Sequence, residues 1–553
     1  MRGLERGLAV VGEEATRERR RCLAALESAR LETDREVYRL HEVLCFLRAY
    51  PDDAEGLELV ERMLESFHRR PDLRRFRREL ADSGIAGTDI HFPFFHPQAS
   101  WLARRHGPAL HVDWKAFEGA ERLRGWLETA MLESEVPALY DAGGSVETWV
   151  ERMKRDDQTD GQFVVRQLED LTRDARMRRG IHDTLEIPYC IDGREGGPSR
   201  TRGHYPDSPT VYRTEPLDRS RPALDAAVRR KPLAVRHVSP AEGRALIDLA
   251  NEAMVTRSRD LDSFSYGNEE DVRMVELGDG LQLACIGLVP EQRIVLEGLY
   301  AFLILQNGVP SGYTMCSALF RSSDVAYNVF ETFRGAEAAR VYGKILGAVC
   351  ALFGSDALCV TPYQLGHRNE EGLASGAWWF YQKLGFRARD PEVLALMEAE
   401  LAAMRRDPSH RTGRRILKQL SAKYVFWYRG RPREDVIGVI PLERISLGVA
   451  EYVGKRFGSS RRRARRVMSE EAAARVGARG WRDWSPGERG AWERWSPLLL
   501  QLTGLERWSA KQRHELVRVV RAKGGRSESD YLERFERHQP LKTALLRYGA
   551  AMR

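Results

Sequence analysis

The sequence predicts a mixed α/β domain over about residues 233–430, set between helical regions on its N- and C-terminal sides. Three observations carry this. From Pro232 onward short apolar runs alternate with helical patterns, the grammar of a layered α/β domain. Before residue 190 and after 431, apolar residues recur at helical spacing instead. Between them, residues 191–232 are rich in Gly, Pro, Arg and Ser without apolar periodicity, which reads as a linker or extended arm.

Along the N-terminal region, 1–190, Val37, Leu40, Leu44 and Leu47 mark one helix ended by Pro51. Leu57, Val60, Leu64 and Phe67 mark a second, and a third ends at Gly84. Helix is expected again at about 115–155 and 160–178. In the central region LAVRHV is a first strand, and Ser239-Pro240 starts a helix to about Thr256. Strands are expected in LQLACIGLV, IVLEGLYAFLIL, SGYTMCSALF, AYNVFETF, ALCVTPY and AKYVFWYRG, with Asn307-Gly308 as a hairpin turn. A helix runs from Gly335 to Phe353 and another ends in YQKLGF. The C-terminal region, 431–553, is helical and basic, and its Trp481, Trp484, Trp492 and Trp495 are expected to pack its core.

Composition sets bounds. A net charge of +8 over 553 residues is mild and attracts polyanions only weakly. The seven cysteines are odd in number, without C-x-x-C spacing and mostly in apolar runs, so buried thiols are expected and zinc through cysteine is not. His91, His96, His106 and His111 lack trustworthy metal spacing, so no metal is expected. No apolar run approaches a membrane span and no signal peptide is recognisable, which predicts a cytoplasmic protein.

Two segments point to chemistry. In AYNVFETFRGAEAARVYGKIL an apolar strand runs through Arg334-Gly335 into a helix. Such a junction presents unpaired backbone N–H groups at a positive helix end, which suits a phosphate; an ordinary strand-to-helix turn looks the same. In SGAWWFYQKLGF, Ala377, Phe380, Tyr381 and Leu384 share a helical face and Gly385 ends the helix.

This second segment resembles the GNAT superfamily of acyl-CoA N-acyltransferases, whose corresponding helix reads A-x-x-[LF]-Y-x-K-[LM]-G-F. The match falls at Ala377, Phe380, Tyr381, Lys383, Leu384, Gly385 and Phe386, and the resemblance covers only about 233–430. It implies a GNAT-like mixed central sheet. It further implies acyl-CoA or acetyl-CoA as co-substrate, its pyrophosphate on Arg334, Gly335, Ala336, Glu337, Ala338 and Ala339, and its pantetheine between splayed central strands. Glu337 stands where the family prefers glycine. Tyr381 would protonate the departing thiolate. Glu331 is the leading general base, with Glu297 competing. Tyr266 and Asn268, in DLDSFSYGNEE, would touch the acceptor, an amine on a small molecule or protein.

Two other readings remain. One is a non-catalytic GNAT-like protein holding a protein or RNA partner through its helical flanks. The other takes an acyl donor carried on tRNA or a carrier protein. Nucleic acid could meet SSRRRARR at 459–466, although a solvated basic helix face is preferred.

Overall fold

The computed structural model describes Leu8 and residues 10–552. The protein is mixed α/β: helical N- and C-terminal regions flank, along the chain, a central region that carries a nine-stranded mixed sheet. It divides into two compact units. One comprises Met1–Leu217, Arg244–Tyr266 and Leu305–Ser311; the other comprises Asp218–Gly243, Gly267–Ile304 and Gly312–Arg553.

In the first unit the Asp34–Ala49 and Ala54–Ser66 helices begin at Thr33 and Asp53. Each cap side chain accepts a first-turn N–H that the helix cannot satisfy itself. The helix expected to end at Gly84 spans only Pro71–Arg75 before a run of turns. A small antiparallel sheet joins β1 (Ile90–Phe92), β2 (Leu110–Val112) and β3 (Tyr189–Ile191), with β3 in the middle. Residues 198–217 have no regular structure, as their composition predicts, yet Ser199, Thr201 and Tyr205 are buried. Arg48 Nη1 donates to the Thr201 carbonyl at 3.0 Å, so side chains supply partners that a ladder would otherwise provide. The Asn307-Gly308 turn forms as expected: both residues are left-handed, and a Cβ on Gly308 would lie 2.4 Å from the Tyr205 carbonyl.

The large sheet contains β4 (Ala234–His237), β5 (Gly267–Gly278), β6 (Leu281–Leu288), β7 (Gly298–Gln306), β8 (Val309–Leu319), β9 (Ser322–Val329), β10 (Ala357–Val360), β11 (Arg387–Ala388) and β12 (Val425–Tyr428). Its order is β11-β12-β10-β9-β8-β7-β6-β5-β4. β5 covers GNEEDVRMVELG, a segment in which the sequence pattern predicts no strand. β9 begins four residues before the expected strand and ends at Val329, so Glu331 lies in a 3₁₀ turn, Glu331–Phe333, and not in a strand.

β9 runs parallel to β10 and antiparallel to β8. The parallel pair is connected through the Ala338–Phe353 helix, since parallel neighbours need a crossover. Within the second unit, one sheet face packs against this helix and the Ala377–Leu384 helix, through Val325, Tyr327, Leu358, Val360, Tyr342 and Trp378. The other face packs against the C-terminal helices through Leu319, Ala357, Cys359 and Phe426. There Trp481, Trp492 and Trp495 join one core with Leu516, Tyr531 and Phe535. No helix among the described residues is long and apolar enough to cross a membrane.

Candidate functional site

The parallel ladder between β9 and β10 is short: Ser322, Ser323 and Asp324 stand opposite Ala357, Leu358 and Cys359, and there the pairing ends. β9 continues beside β8 as far as Val329, while β10 turns away at Thr361-Pro362, where proline lacks the N–H that a ladder would need. The two strands therefore part at Asp324, leaving a wedge beside the C-terminal half of β9. The chain leaves β9 at this end and the Ala338–Phe353 helix begins there, so wedge and helix N-terminus belong to the same end of the sheet.

Parting the strands strips β9 of partners, and side chains replace them. The Tyr342 hydroxyl donates to the Val325 carbonyl at 3.0 Å, and Gln364 Nε2 donates to the Tyr327 carbonyl at 2.8 Å. Each bond removes a desolvation cost of about 1–3 kcal/mol for an unpaired carbonyl.

Tyr381 reaches the wedge from the face of the Ala338–Phe353 helix. It is 2% exposed, its ring is edge-on to Tyr342 at 5.6 Å, and its hydroxyl is hydrogen-bonded with the Gln364 side chain and the Tyr327 backbone. Burial holds the phenol well above its usual range, so it stays protonated at neutral pH.

Asp324 addresses the wedge from the opposite face, since side chains alternate along a strand and Val325 belongs to the helix-covered side. The Thr361 N–H donates to its carboxyl group, yet its Oδ1 is buried without a hydrogen-bond partner. Burial, with the Glu297 charge adding, pushes this carboxyl up to about 7. Sequence reasoning missed Asp324. The available signal was a lone carboxylate inside an otherwise strand-forming run, SSDVAYNV, where aspartate is disfavoured.

The expected site residues are distributed as follows. Glu297 is partly buried just before β7, and burial raises its carboxyl above the ordinary range. Its charge is felt by Asp324 and by Tyr424, so these three belong to one neighbourhood. Glu331 is exposed. Tyr266 and Asn268 lie in different units. The Tyr266 ring stacks under the Arg179 guanidinium at 6.0 Å, whereas Asn268 Nδ2 donates to the Arg526 carbonyl at 3.1 Å.

In the turn before the helix, Gly335 is left-handed (φ +83°) with open space where a Cβ would stand. Ala336 closes the turn, its N–H donating to the Phe333 carbonyl. Glu337 is the N-cap residue, but its carboxylate accepts from Arg340 Nη1 at 2.6 Å and from the Asp218 N–H at 3.2 Å. That pairing occupies the acidic side chain and leaves the N–H groups of Ala338 and Ala339 among the first-turn donors without an intrahelical acceptor. Arg334 is paired with Glu371 at 2.5 Å on the surface. Among the described residues no group of three or more His, Cys, Asp or Glu has metal-holding geometry.

No family model, curated protein or solved structure matches the chain.

Proposed function

We propose that the second unit transfers an acyl group from an acyl-thioester, of which acyl-CoA is the leading case, to an amine. The observation that carries this reading is the parting of β9 and β10 at Asp324. Asp324 and Tyr381 address the same gap from opposite faces, and a helix N-terminus lies at its open end.

The chemistry balances within these groups. An Asp324 carboxyl near 7 is half ionised at neutral pH, the condition in which a general base is most effective. As the amine nitrogen attacks the thioester carbonyl, the Asp324 carboxylate takes its proton, and backbone N–H groups of the parted strands steady the oxyanion. Collapse of the intermediate breaks the C–S bond, and the Tyr381 hydroxyl gives its proton to the thiolate. The free N–H groups of the Ala338–Phe353 helix and the Gly335 turn would receive the pyrophosphate. A thioester arm lying in the wedge replaces the bond that Gln364 makes to the Tyr327 carbonyl.

That same bond favours the second reading, a non-catalytic binding protein, because the wedge already satisfies its own backbone. One experiment separates the two. Full-length protein is heated with acetyl-, hexanoyl- and palmitoyl-CoA, and a ligand at a hundredfold excess over Kd adds about 2.7 kcal/mol. A rise in Tm that Gly335→Asp removes supports acyl transfer; no shift with any ester sinks the donor assignment.

A further inference from the structure

A cleft of about 460 Å³ lies in the second unit at the far end of the Ala338–Phe353 helix from the wedge, between the β8–β9 turn and the Glu528–Arg537 helix. The helix has 16 residues, which separates its two ends by about 24 Å. The volume is in the range of small-molecule sites. Phe320, Leu352, Phe353 and Leu532 give it apolar walls.

Its charges are unevenly spent. Arg321 is paired with Asp356 at 3.0 Å, Arg537 with Glu533, and Glu536 with Lys542 at 3.2 Å. Asp530 is exposed at the cleft and forms no ion pair among the described residues. The helix end adds to this, because its last turn contains no basic residue and its carbonyl end carries roughly half a negative charge. Gly354 closes the helix in the left-handed conformation with open space around its Cβ position, leaving the carbonyls approachable. A neutral ligand would use the walls and leave the carboxylate solvated, whereas an anion would meet both negative ends.

We propose that this cleft binds a small organic monocation with an apolar body, of the arylalkylammonium kind, its ammonium between Asp530 and the carbonyl end of the helix. The site is independent of the acyl-transfer reading: one helix presents its positive end to the wedge and its negative end here.

The test uses the full-length protein and three probes of one shape and different charge: phenethylammonium, 2-phenylethanol and 3-phenylpropionate. Calorimetric titration should rank them cation, alcohol, carboxylate. Asp530→Asn should weaken the cation roughly fivefold, as for a surface-exposed charge pair, and leave the alcohol unchanged. Asp530→Lys should abolish cation binding. Equal affinities for the three probes, or no saturable binding by the cation, would overturn the proposal. So would cation binding that survives Asp530→Lys and is lost in Asp324→Asn, which would place the ammonium in the wedge.

Discussion

Replacing Asp324 by asparagine tests whether this carboxyl is poised as a base. The substitution keeps the shape and the acceptor for the Thr361 N–H but cannot ionise. Moving a carboxyl from its ordinary value near 4 to about 7 corresponds to roughly 4 kcal/mol. The sign follows from the raised value. Between the unfolded and folded pKa the unfolded chain has lost the proton and the folded protein still holds it. Stability therefore falls as pH rises through this window, and levels above about 7. Integrating gives a cost of roughly 1–2 kcal/mol at pH 5, rising to roughly 4 kcal/mol at pH 8. Wild type should thus lose roughly 2–3 kcal/mol relative to Asp324→Asn between those values. Urea unfolding of both proteins across pH 5–8 measures the difference, and groups titrating elsewhere in the chain cancel between them. Carbon-13 NMR of the Asp324 carboxyl should show a midpoint near 7. A stability difference that does not change with pH, together with an NMR midpoint near 4, would refute the assignment.

Two further outcomes are expected. Tyr381→Phe keeps the ring against Tyr342 and Phe386 and removes only the hydroxyl; turnover should fall roughly a hundred- to ten-thousandfold with donor Kd unchanged, and unaltered turnover would take Tyr381 out of the mechanism. Lys523→Met strands the fully buried Glu528 without its ion-pair partner and should cost roughly 3–5 kcal/mol in denaturant unfolding, part of it recovered by the double variant Lys523→Met/Glu528→Leu; equal stability of Lys523→Met and wild type would show that the pair contributes nothing.

The arrangement of elements was legible in the sequence because it rests on local rules. Helical periodicity located the Asp34–Ala49 helix, Asn307-Gly308 announced its hairpin, and the motif around Tyr381 placed the Ala377–Leu384 helix with its Gly385 end. The strand over Gly267–Gly278 was hidden because its first half, GNEED, is polar and glycine-led, and its pairing with β6 supplies what its propensity lacks.

The environment of each charged group was not legible. Asp324, Glu297 and Glu331 are all carboxylates close to strand ends in the sequence. Tertiary packing alone buries the first two near one another and leaves the third in water. Likewise Glu337 reads as an anion beside a phosphate loop until the fold supplies Arg340 and the Asp218 N–H. Sequence determines which hydrogen-bonding and apolar pattern each segment offers, because those interactions reach only a few residues. Burial and charge coupling are set by atoms hundreds of residues away in the chain, as with Lys523, whose Nζ bonds the Glu297 carbonyl at 2.6 Å. Only the folded protein brings such atoms within range, and the low dielectric of its interior then decides which carboxyl keeps a proton at neutral pH.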